Sequence, residues 1–204
     1  MPRSKEKSEQ IRIQSRAQIL RAACQIFSER GYDGCKVADI AKRANMSQGN
    51  IYWYFSSKEE MLKAALTDGF EALGTLMHKA AALHTTASEK IDYLIRQYTA
   101  FGRELGDFTS IFLALLAQGG IDRLRELGFD TVQIGTGYHQ SVSAIFTQGQ
   151  EEGFIREDLD ANMLTMFFFS FYNGMTMTYG NEWINLPIDA IYSAVLRLIG
   201  SKTE

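Results

Sequence analysis

The sequence has 204 residues, 46% of them hydrophobic, with two prolines and two cysteines, which excludes a disordered chain or a disulfide framework and favours long helices. The formal net charge of −3 conceals an asymmetry, because residues 1–63 carry 12 Lys and Arg against 7 Asp and Glu, whereas residues 64–204 carry 9 against 17. A basic head on an acidic body predicts that only the head contacts a polyanion, although a solvated surface can have the same imbalance.

Residues 1–63, the head, carry the spacing of three helices. Ser15 and Gln18 have the spacing of a capping box at the start of the first helix, and Gly31 is suited to end it. A short second helix is predicted from about Val37 to Ala44, and a third from about Gln48 to Phe55. The apolar face of the first helix consists of Ile19, Leu20, Ala23, Ile26 and Phe27.

A tight break separates the second helix from the third. Asn45-Met46-Ser47 interrupts the helical pattern, and Ser47 is a natural N-cap for the third helix. Two overlapping capping-box spacings, Ser56 with Glu59 and Ser57 with Glu60, predict that a long fourth helix starts there and runs to about Leu83. This helix would join the head to the body, residues 64–204, without a flexible linker, so that it can transmit motion.

The body continues with helical period and recurrent helix caps. Thr86 and Asp107 are each placed to start a helix, and Gly119-Gly120 to interrupt one. Asp160 caps a very apolar helix, and the last helix is predicted from about Pro187. The sequence therefore predicts an all-α fold of about nine helices, in which a long helix joins a three-helix head to a helical body.

The head has the helix lengths and breaks of a helix-turn-helix, whose third helix lies in the major groove of DNA. Such a helix needs polar or aromatic side chains on its outward face, because the groove presents the donor and acceptor pattern of each base pair. Gly49 would let the backbone approach closely, whereas Ile51 and Phe55 are expected in the core. The outward face offers Gln48, Asn50, Tyr52, Trp53 and Tyr54.

Four segments of the head share the pattern of one known family: Gly31-Tyr32, Val37 to Ala41, Ala44 to Phe55 and Lys58 to Leu62. Together they resemble the DNA-binding domain of the tetracycline-repressor (TetR) family. The segment Gly153 to Asp160 also resembles that family's turn before its penultimate helix. The resemblance implies a DNA-binding transcriptional regulator whose body is a ligand-binding and dimerisation domain.

The resemblance also implies a role for each DNA-facing residue. Gln48 and Asn50 occupy base-reading positions, and their amides can pair with adenine. Tyr52 resembles the family's aromatic that meets thymine methyls or phosphate. The positions of Trp53 and Tyr54 touch the sugar-phosphate backbone, and Lys58 matches a lysine that meets a phosphate. The predicted DNA-binding set is Lys36, Ser47, Gln48, Gly49, Asn50, Tyr52, Trp53, Tyr54 and Lys58.

The chain departs from the family just before the second helix, where Ser or Thr is usual and Cys35-Lys36 stands here. Lys36 has no side-chain oxygen with which to cap the helix, but it can neutralise a phosphate. Tyr52 and Trp53 can alternatively be core residues. The basic arm can enter a minor groove or can be a disordered, solubilising tail. Its residues are Arg3, Lys5, Lys7, Arg12 and Arg16.

The body carries a candidate dimer interface and a candidate ligand cavity. Met163–Tyr179 is short for a membrane span and is apolar nearly all round, which is more than one core-facing stripe needs. The last two helices are therefore predicted to form a homodimer, as in the family. A fully buried helix in a monomer is the alternative. Eight further apolar or aromatic residues of the body fit either a packed core or a cavity for a small apolar or aromatic effector. They are Phe101, Phe108, Phe112, Phe129, Tyr138, Phe167, Phe171 and Met175.

Catalytic motifs are missing from the sequence. His78, His84 and His139 are scattered, and Gly135-Thr136-Gly137 is no dinucleotide fingerprint, so neither an enzyme nor a metal or cofactor is expected. We expect a cytoplasmic repressor that its effector releases from a palindromic operator in double-stranded DNA. The alternative is a constitutive DNA binder or an activator whose body binds a protein partner and no small ligand.

Overall fold

The computed structural model describes residues 2–180 and 182–200, and for residues 2–5, 119–120 and 131–133 it describes the backbone alone. Within this range the chain forms eight α-helices and one 3-10 helix and no strand, which confirms the all-α prediction. The elements in chain order are α1 (Pro2–Gly34), α2 (Val37–Arg43), α3 (Gln48–Tyr54), α4 (Lys58–Ala81), α5 (Ala87–Glu126), α6 (Thr131–Glu151), α7 (Ala161–Tyr179), the 3-10 helix (Glu182–Asn185) and α8 (Ile188–Leu198).

The chain divides into two compact units, Met1–Gly69 and Phe70–Glu204. The division falls inside α4, as does the sequence-based boundary between residues 63 and 64. Helix α4 therefore contributes its first half to one unit and its second half to the other. No helix among the described residues is long and apolar enough to span a membrane.

The first unit is built around the predicted apolar face of α1. Ile19, Ala23 and Ile26 are buried, together with Ile40 of α2 and Ile51 of α3. Regular helix ends at Gly31, as predicted, because this residue adopts φ 72° and ψ 162°. Glycine adopts such a positive φ without a steric penalty because it has no Cβ.

The start of α1 differs from the prediction. The helix begins at Pro2, so Ser15 lies inside it and does not cap it. Gln18 does not complete a capping box either, because its Nε2 donates a hydrogen bond to the backbone oxygen of Ala44 at 2.8 Å. A long-range contact with the turn after α2 has replaced the local one that the spacing suggested. The arm is thus helical from Pro2 and no disordered tail, although the side chains of Arg3 and Lys5 lie outside the described residues.

Helix α5 is also longer than predicted. It runs without interruption from Ala87 to Glu126, through Asp107 and through Gly119-Gly120, so the predicted cap and break are both absent. A glycine inside a helix costs only about 0.5–1 kcal/mol, and the buried face of α5 outweighs that cost. This face includes Ile91, Leu94, Tyr98, Phe101, Phe108, Leu115 and Leu124. The caps at Thr86 and Asp160 are confirmed, since their side chains accept hydrogen bonds from Glu89 N and Met163 N.

In the second unit α5 packs against α6, α7 and α8, and α6 lies along α7. Aromatic rings fill the space between α5 and α7, where the Tyr98 ring centroid lies 4.5 Å from that of Tyr172. The 3-10 helix closes one end of this cluster. Its buried Trp183 donates a hydrogen bond from Nε1 to Thr176 Oγ1 at 3.1 Å.

Replacing Gly102 by alanine should destabilise the protein. A Cβ at this position of α5 would stand 3.0 Å from Cζ2 and Cη2 of Trp183, whose indole is buried and hydrogen-bonded. We expect Gly102→Ala to lower the free energy of unfolding by about 1–3 kcal/mol in urea denaturation. Gly137→Ala in α6 is the control, because a Cβ there meets nothing within 4 Å and should raise stability by up to about 1 kcal/mol. Equal effects at the two sites would contradict this packing.

Candidate functional site

Helices α2 and α3 are joined by the tight turn that the sequence predicted. Asn45 adopts φ 51°, and Met46 N donates to the backbone oxygen of Ala41 at 2.9 Å. Ser47 caps α3, since its Oγ accepts a hydrogen bond from Asn50 N at 3.1 Å. Ile51 and Phe55 are buried, so they hold one side of α3 against the core of the first unit.

The other side of α3 is open to solvent. Gln48, Gly49 and Asn50 are exposed, and the side chains of Tyr52 and Trp53 are 52% and 68% exposed. Tyr52 and Trp53 are therefore not core residues of this unit, and the alternative of simple packing is wrong for them. Tyr54 is half-buried, and its ring meets that of Trp53 edge-on at 4.6 Å between centroids.

Asp39 stabilises the start of α2, where Lys36 has no side-chain oxygen that could cap the helix. Its Oδ2 accepts a hydrogen bond from Lys36 N at 3.2 Å, while its Oδ1 pairs with Arg30 Nη1 at 3.0 Å. The start of α2 is thus stabilised without the Ser or Thr that the family usually has there. The exposed amino group of Lys36 has no partner among the described residues, which leaves it available for a phosphate.

Lys58 has a structural role that sequence reasoning missed. Its Nζ donates to the backbone oxygens of Tyr32 at 2.6 Å and Cys35 at 3.0 Å, and lies 4.1 Å from the centroid of the Tyr32 ring. These contacts tie the start of α4 to the segment between α1 and α2. Burial raises the pKa of the neighbouring Cys35 thiol, despite the opposing charge of Lys58, so this thiol stays protonated at neutral pH. The phosphate contact of Lys58 stays a prediction.

Two arginines of the arm, Arg12 and Arg16, form exposed ion pairs inside the first unit. Arg12 Nη2 lies 2.8 Å from Glu9 Oε1, and Arg16 Nη1 lies 3.0 Å from Asp68 Oδ2. Exposed pairs of this kind contribute little to stability, so a phosphate can compete for both guanidinium groups. A minor-groove contact of the arm stays a prediction.

The second unit contains a cavity of about 290 Å³ with a largely aromatic lining. Two of its lining residues, Phe70 and Leu73, belong to α4. Three of the eight residues proposed for a ligand site, Phe108, Phe112 and Tyr138, line it. The other lining residues are Tyr98, Thr109, Leu116, Ile121, Leu124, Ile134, Gly135, His139, Phe169 and Asn173.

The other five proposed residues do not line the cavity. Phe101 and Phe129 lie behind its wall, with ring centroids 6.1 Å from Phe108 and 5.4 Å from Phe70 respectively. Phe167, Phe171 and Met175 lie on a different face of α7, and Phe167 is 38% exposed. The cavity meets instead the face of α7 that carries Phe169 and Asn173, four residues apart. Because α7 is apolar nearly all round, its sequence does not show which face lines the cavity.

Two tyrosines supply hydroxyl groups beside the cavity. Tyr138 donates from Oη to the backbone oxygen of Phe70 at 2.6 Å, and burial raises its pKa to about 12. Tyr98 is only 8% exposed, and burial raises its pKa still further. No hydrogen-bond partner for the Tyr98 hydroxyl exists among the described residues. A buried hydroxyl left unpaired costs about 1–3 kcal/mol.

The described lining residues include no Lys, Arg, Asp or Glu. In the same described part of the chain, no group of three or more His, Cys, Asp or Glu side chains is arranged to hold a metal ion. The cavity therefore offers apolar contact and neutral hydrogen-bonding groups.

Comparison with known proteins identifies the first unit. The family described as "Bacterial regulatory proteins, tetR family" matches residues 19–65, which include α2, α3 and the start of α4. This range covers all nine residues of the predicted DNA-binding set.

Relatives of similar length extend the likeness over the whole chain. The fatty acid metabolism regulator protein of Bacillus subtilis is 28% identical over 185 residues, which cover 90% of this chain and 93% of that protein. The HTH-type transcriptional repressor DhaR of a Mycobacterium species is 26% identical over 196 residues, or 93% and 94% of the two chains.

Solved structures share the fold. The crystal structure of the transcriptional regulator FadR from Bacillus subtilis in complex with stearoyl-CoA has a TM-score of 0.68 at 24% identity and covers 92% of this chain and 99% of its own. These similar proteins are transcriptional regulators and not enzymes, as the sequence predicted. Residues 19–65 thus match the tetR family of bacterial regulatory proteins, and the chain is a DNA-binding transcriptional regulator.

Proposed function

We propose that the protein is a homodimeric repressor that leaves a palindromic operator when a small, mainly apolar molecule occupies the cavity of the second unit. The observation that carries this proposal is the cavity itself, because α4 contributes Phe70 and Leu73 to its wall. The same helix begins at Lys58, beside the DNA-binding helices of the first unit.

The outward face of α3 supports operator recognition by direct contact with bases. Gln48 and Asn50 are exposed amides that can pair with adenine, and Tyr52 offers an aromatic edge to thymine methyls. Lys36 supplies a positive charge at the start of α2 for the phosphate backbone. A single helix-turn-helix reads a short half-site, so a two-fold dimer on a palindrome provides the specificity that one copy lacks.

The exposed face of α7 supports dimerisation through the last two helices. Contiguous apolar patches on a monomer surface mark sites where a partner binds. Gly174 lies on the same helix, and a Cβ there would meet nothing within 4 Å, so another helix can approach closely. The exposed apolar residues of α7 are Met163, Met166, Phe167, Met177 and Tyr179.

Fatty-acyl compounds are the first effector class that we propose. One relative is named a fatty acid metabolism regulator, and the FadR structure contains stearoyl-CoA. A cavity of about 290 Å³ lined by phenylalanine and leucine suits an acyl chain or a small aromatic group. An effector that binds the DNA-free conformation better than the DNA-bound one weakens operator binding by that difference in affinity. In our proposal α4 moves when the cavity fills, which changes the separation of the two heads.

The second candidate is a constitutive DNA binder or an activator whose body binds a protein. The exposed apolar face of α7 favours it, because a protein partner can cover that face as well as a second copy can. The two functions differ in their response to small molecules. Only the sensing protein loses operator affinity when a small-molecule effector is added.

Selection of random DNA fragments by the purified protein at near-physiological salt should recover a two-fold palindrome. Gln48→Ala and Tyr52→Ala should each cost roughly 1–3 kcal/mol of specific binding, because each removes a base contact. The control is Gln140→Ala, which removes an exposed amide from α6 in the second unit and should leave operator affinity unchanged. Unchanged affinity in both α3 variants would refute the assignment of the recognition helix, and recovery of no sequence would refute the operator.

Lys36→Ala and Lys58→Ala should separate phosphate contact from structural support. Each should weaken binding to all DNA sequences alike and reduce the slope of log affinity against log salt by about one. Only Lys58→Ala should also lower the thermal unfolding midpoint, since it removes the hydrogen bonds that Lys58 Nζ donates to the backbone oxygens of Tyr32 and Cys35. A stability loss with an unchanged salt slope would show that Lys58 makes no phosphate contact.

Filling the cavity by mutation should abolish the response to effector. Gly135 lines the cavity, and a Cβ there would meet nothing within 4 Å, so a leucine at this position is expected to occupy part of the space. We expect Gly135→Leu to bind operator DNA and to stay bound when acyl-CoA of medium chain length is added, as followed by fluorescence anisotropy. Gly137→Leu, on the same helix but outside the lining, should respond like the wild type. Release of both variants by the effector would place the ligand elsewhere.

A further inference from the structure

We infer that the Tyr98 hydroxyl selects effectors that carry an uncharged hydrogen-bond acceptor, such as a ketone, ester or thioester carbonyl, on an apolar body. This inference rests on the proposed ligand-sensing function and narrows its ligand class. It concerns the cavity of the second unit, where the wall is apolar except at a few defined groups.

The Tyr98 side chain is held in place by its neighbours, but its hydroxyl is unpaired among the described residues. It lines the cavity, is 8% exposed, and packs its ring against those of Phe168 and Tyr172, with centroids at 5.4 and 4.5 Å. These contacts hold the ring in place. Its hydroxyl has no hydrogen-bond partner among the described residues, although buried hydroxyl groups normally find one.

The neighbouring hydroxyl groups do not relieve this deficit, because their hydrogen bonds lead elsewhere. Tyr138 Oη donates to the backbone oxygen of Phe70 at 2.6 Å. Tyr172 Oη lies 3.2 Å from Thr99 Oγ1, and Thr99 Oγ1 in turn donates to the backbone oxygen of Ile95 at 2.8 Å. Tyr98 is thus the buried cavity-lining hydroxyl whose donor is unused, and a ligand oxygen is the partner that would complete it.

The charge of the lining decides which acceptor fits. A carboxylate would accept the hydrogen bond of Tyr98, but no Lys or Arg is present among the described lining residues to balance its charge. Burying an unpaired anion is far more costly than burying a neutral carbonyl. The cavity therefore favours a neutral acceptor over an ionised fatty acid, and the Tyr98 hydroxyl adds a preference for that acceptor over a bare hydrocarbon.

Three probes with nine carbons each test the inference by calorimetric titration: methyl heptyl ketone, n-nonane and nonanoate. The full-length wild type should bind the ketone more tightly than the alkane or the acid. Tyr98→Phe keeps the ring and removes the hydroxyl, so the ketone should bind roughly threefold to tenfold more weakly while the alkane is unaffected. Tyr93→Phe, a half-buried tyrosine of α5 outside the lining, is the matched control and should retain the preference.

A second readout needs no ligand. Because Tyr98→Phe removes an unpaired buried hydroxyl, the thermal unfolding midpoint of the free protein should rise in this variant and not in Tyr93→Phe. Probes that bind the wild type and Tyr98→Phe with the same preference would overturn the role of Tyr98 and leave ligand sensing intact. Failure of the wild type to bind any of the three would overturn the sensing function together with this inference.

Discussion

The contact of Lys58 with the chain between α1 and α2 is the interaction on which the architecture of the first unit depends. One ammonium group satisfies the carbonyl oxygens of Tyr32 and Cys35 and lies against the Tyr32 ring. The backbone is irregular after Gly31, and Tyr32 O accepts only a turn hydrogen bond from Cys35 N at 3.3 Å besides that of Lys58 among the hydrogen bonds described. By binding both carbonyl groups, Lys58 fixes where α2 begins relative to the start of α4, and α3 follows through the turn at Asn45.

The second unit is built under a different constraint, since its aromatic core is incompletely filled. Rings from α4, α5 and α7 meet edge to face, as Phe70 and Phe108 do with centroids 5.2 Å apart, and rigid rings in such contacts do not collapse readily into the space between them. A cavity that persists without a ligand is pre-organised for one, so less of the binding free energy is lost to ordering. The unpaired hydroxyl of Tyr98 adds polar selectivity to this apolar space.

Local sequence signals predicted the parts of the fold that local chemistry decides. The cap at Ser47, the left-handed Gly31 and the buried pair Ile51 and Phe55 follow from short-range geometry. The continuity of α5 did not follow, because burial of its long apolar face overrides the weak breaking tendency of Gly119-Gly120.

The candidate DNA-binding and ligand-binding sites were likewise predictable only where local sequence decides which residues face outward. The outward residues of α3 were predictable because a short helix with one buried residue has an unambiguous outer face. The cavity was predictable only in part, since Phe167 and Phe169 are two residues apart on a helix that is apolar on most sides. The internal partners of Lys58 lie 26 and 23 residues away in sequence, where no periodicity connects them.

Helix α3 has a consequence for how such a regulator can diverge. Ile51 is its one buried residue, and a Cβ at Gly49 would meet only Ser47 Oγ at 3.8 Å. Substitutions on the rest of this helix therefore change little in the core of the unit. After gene duplication, a copy can explore new operator sequences through a few surface substitutions while its folding stability is nearly unchanged.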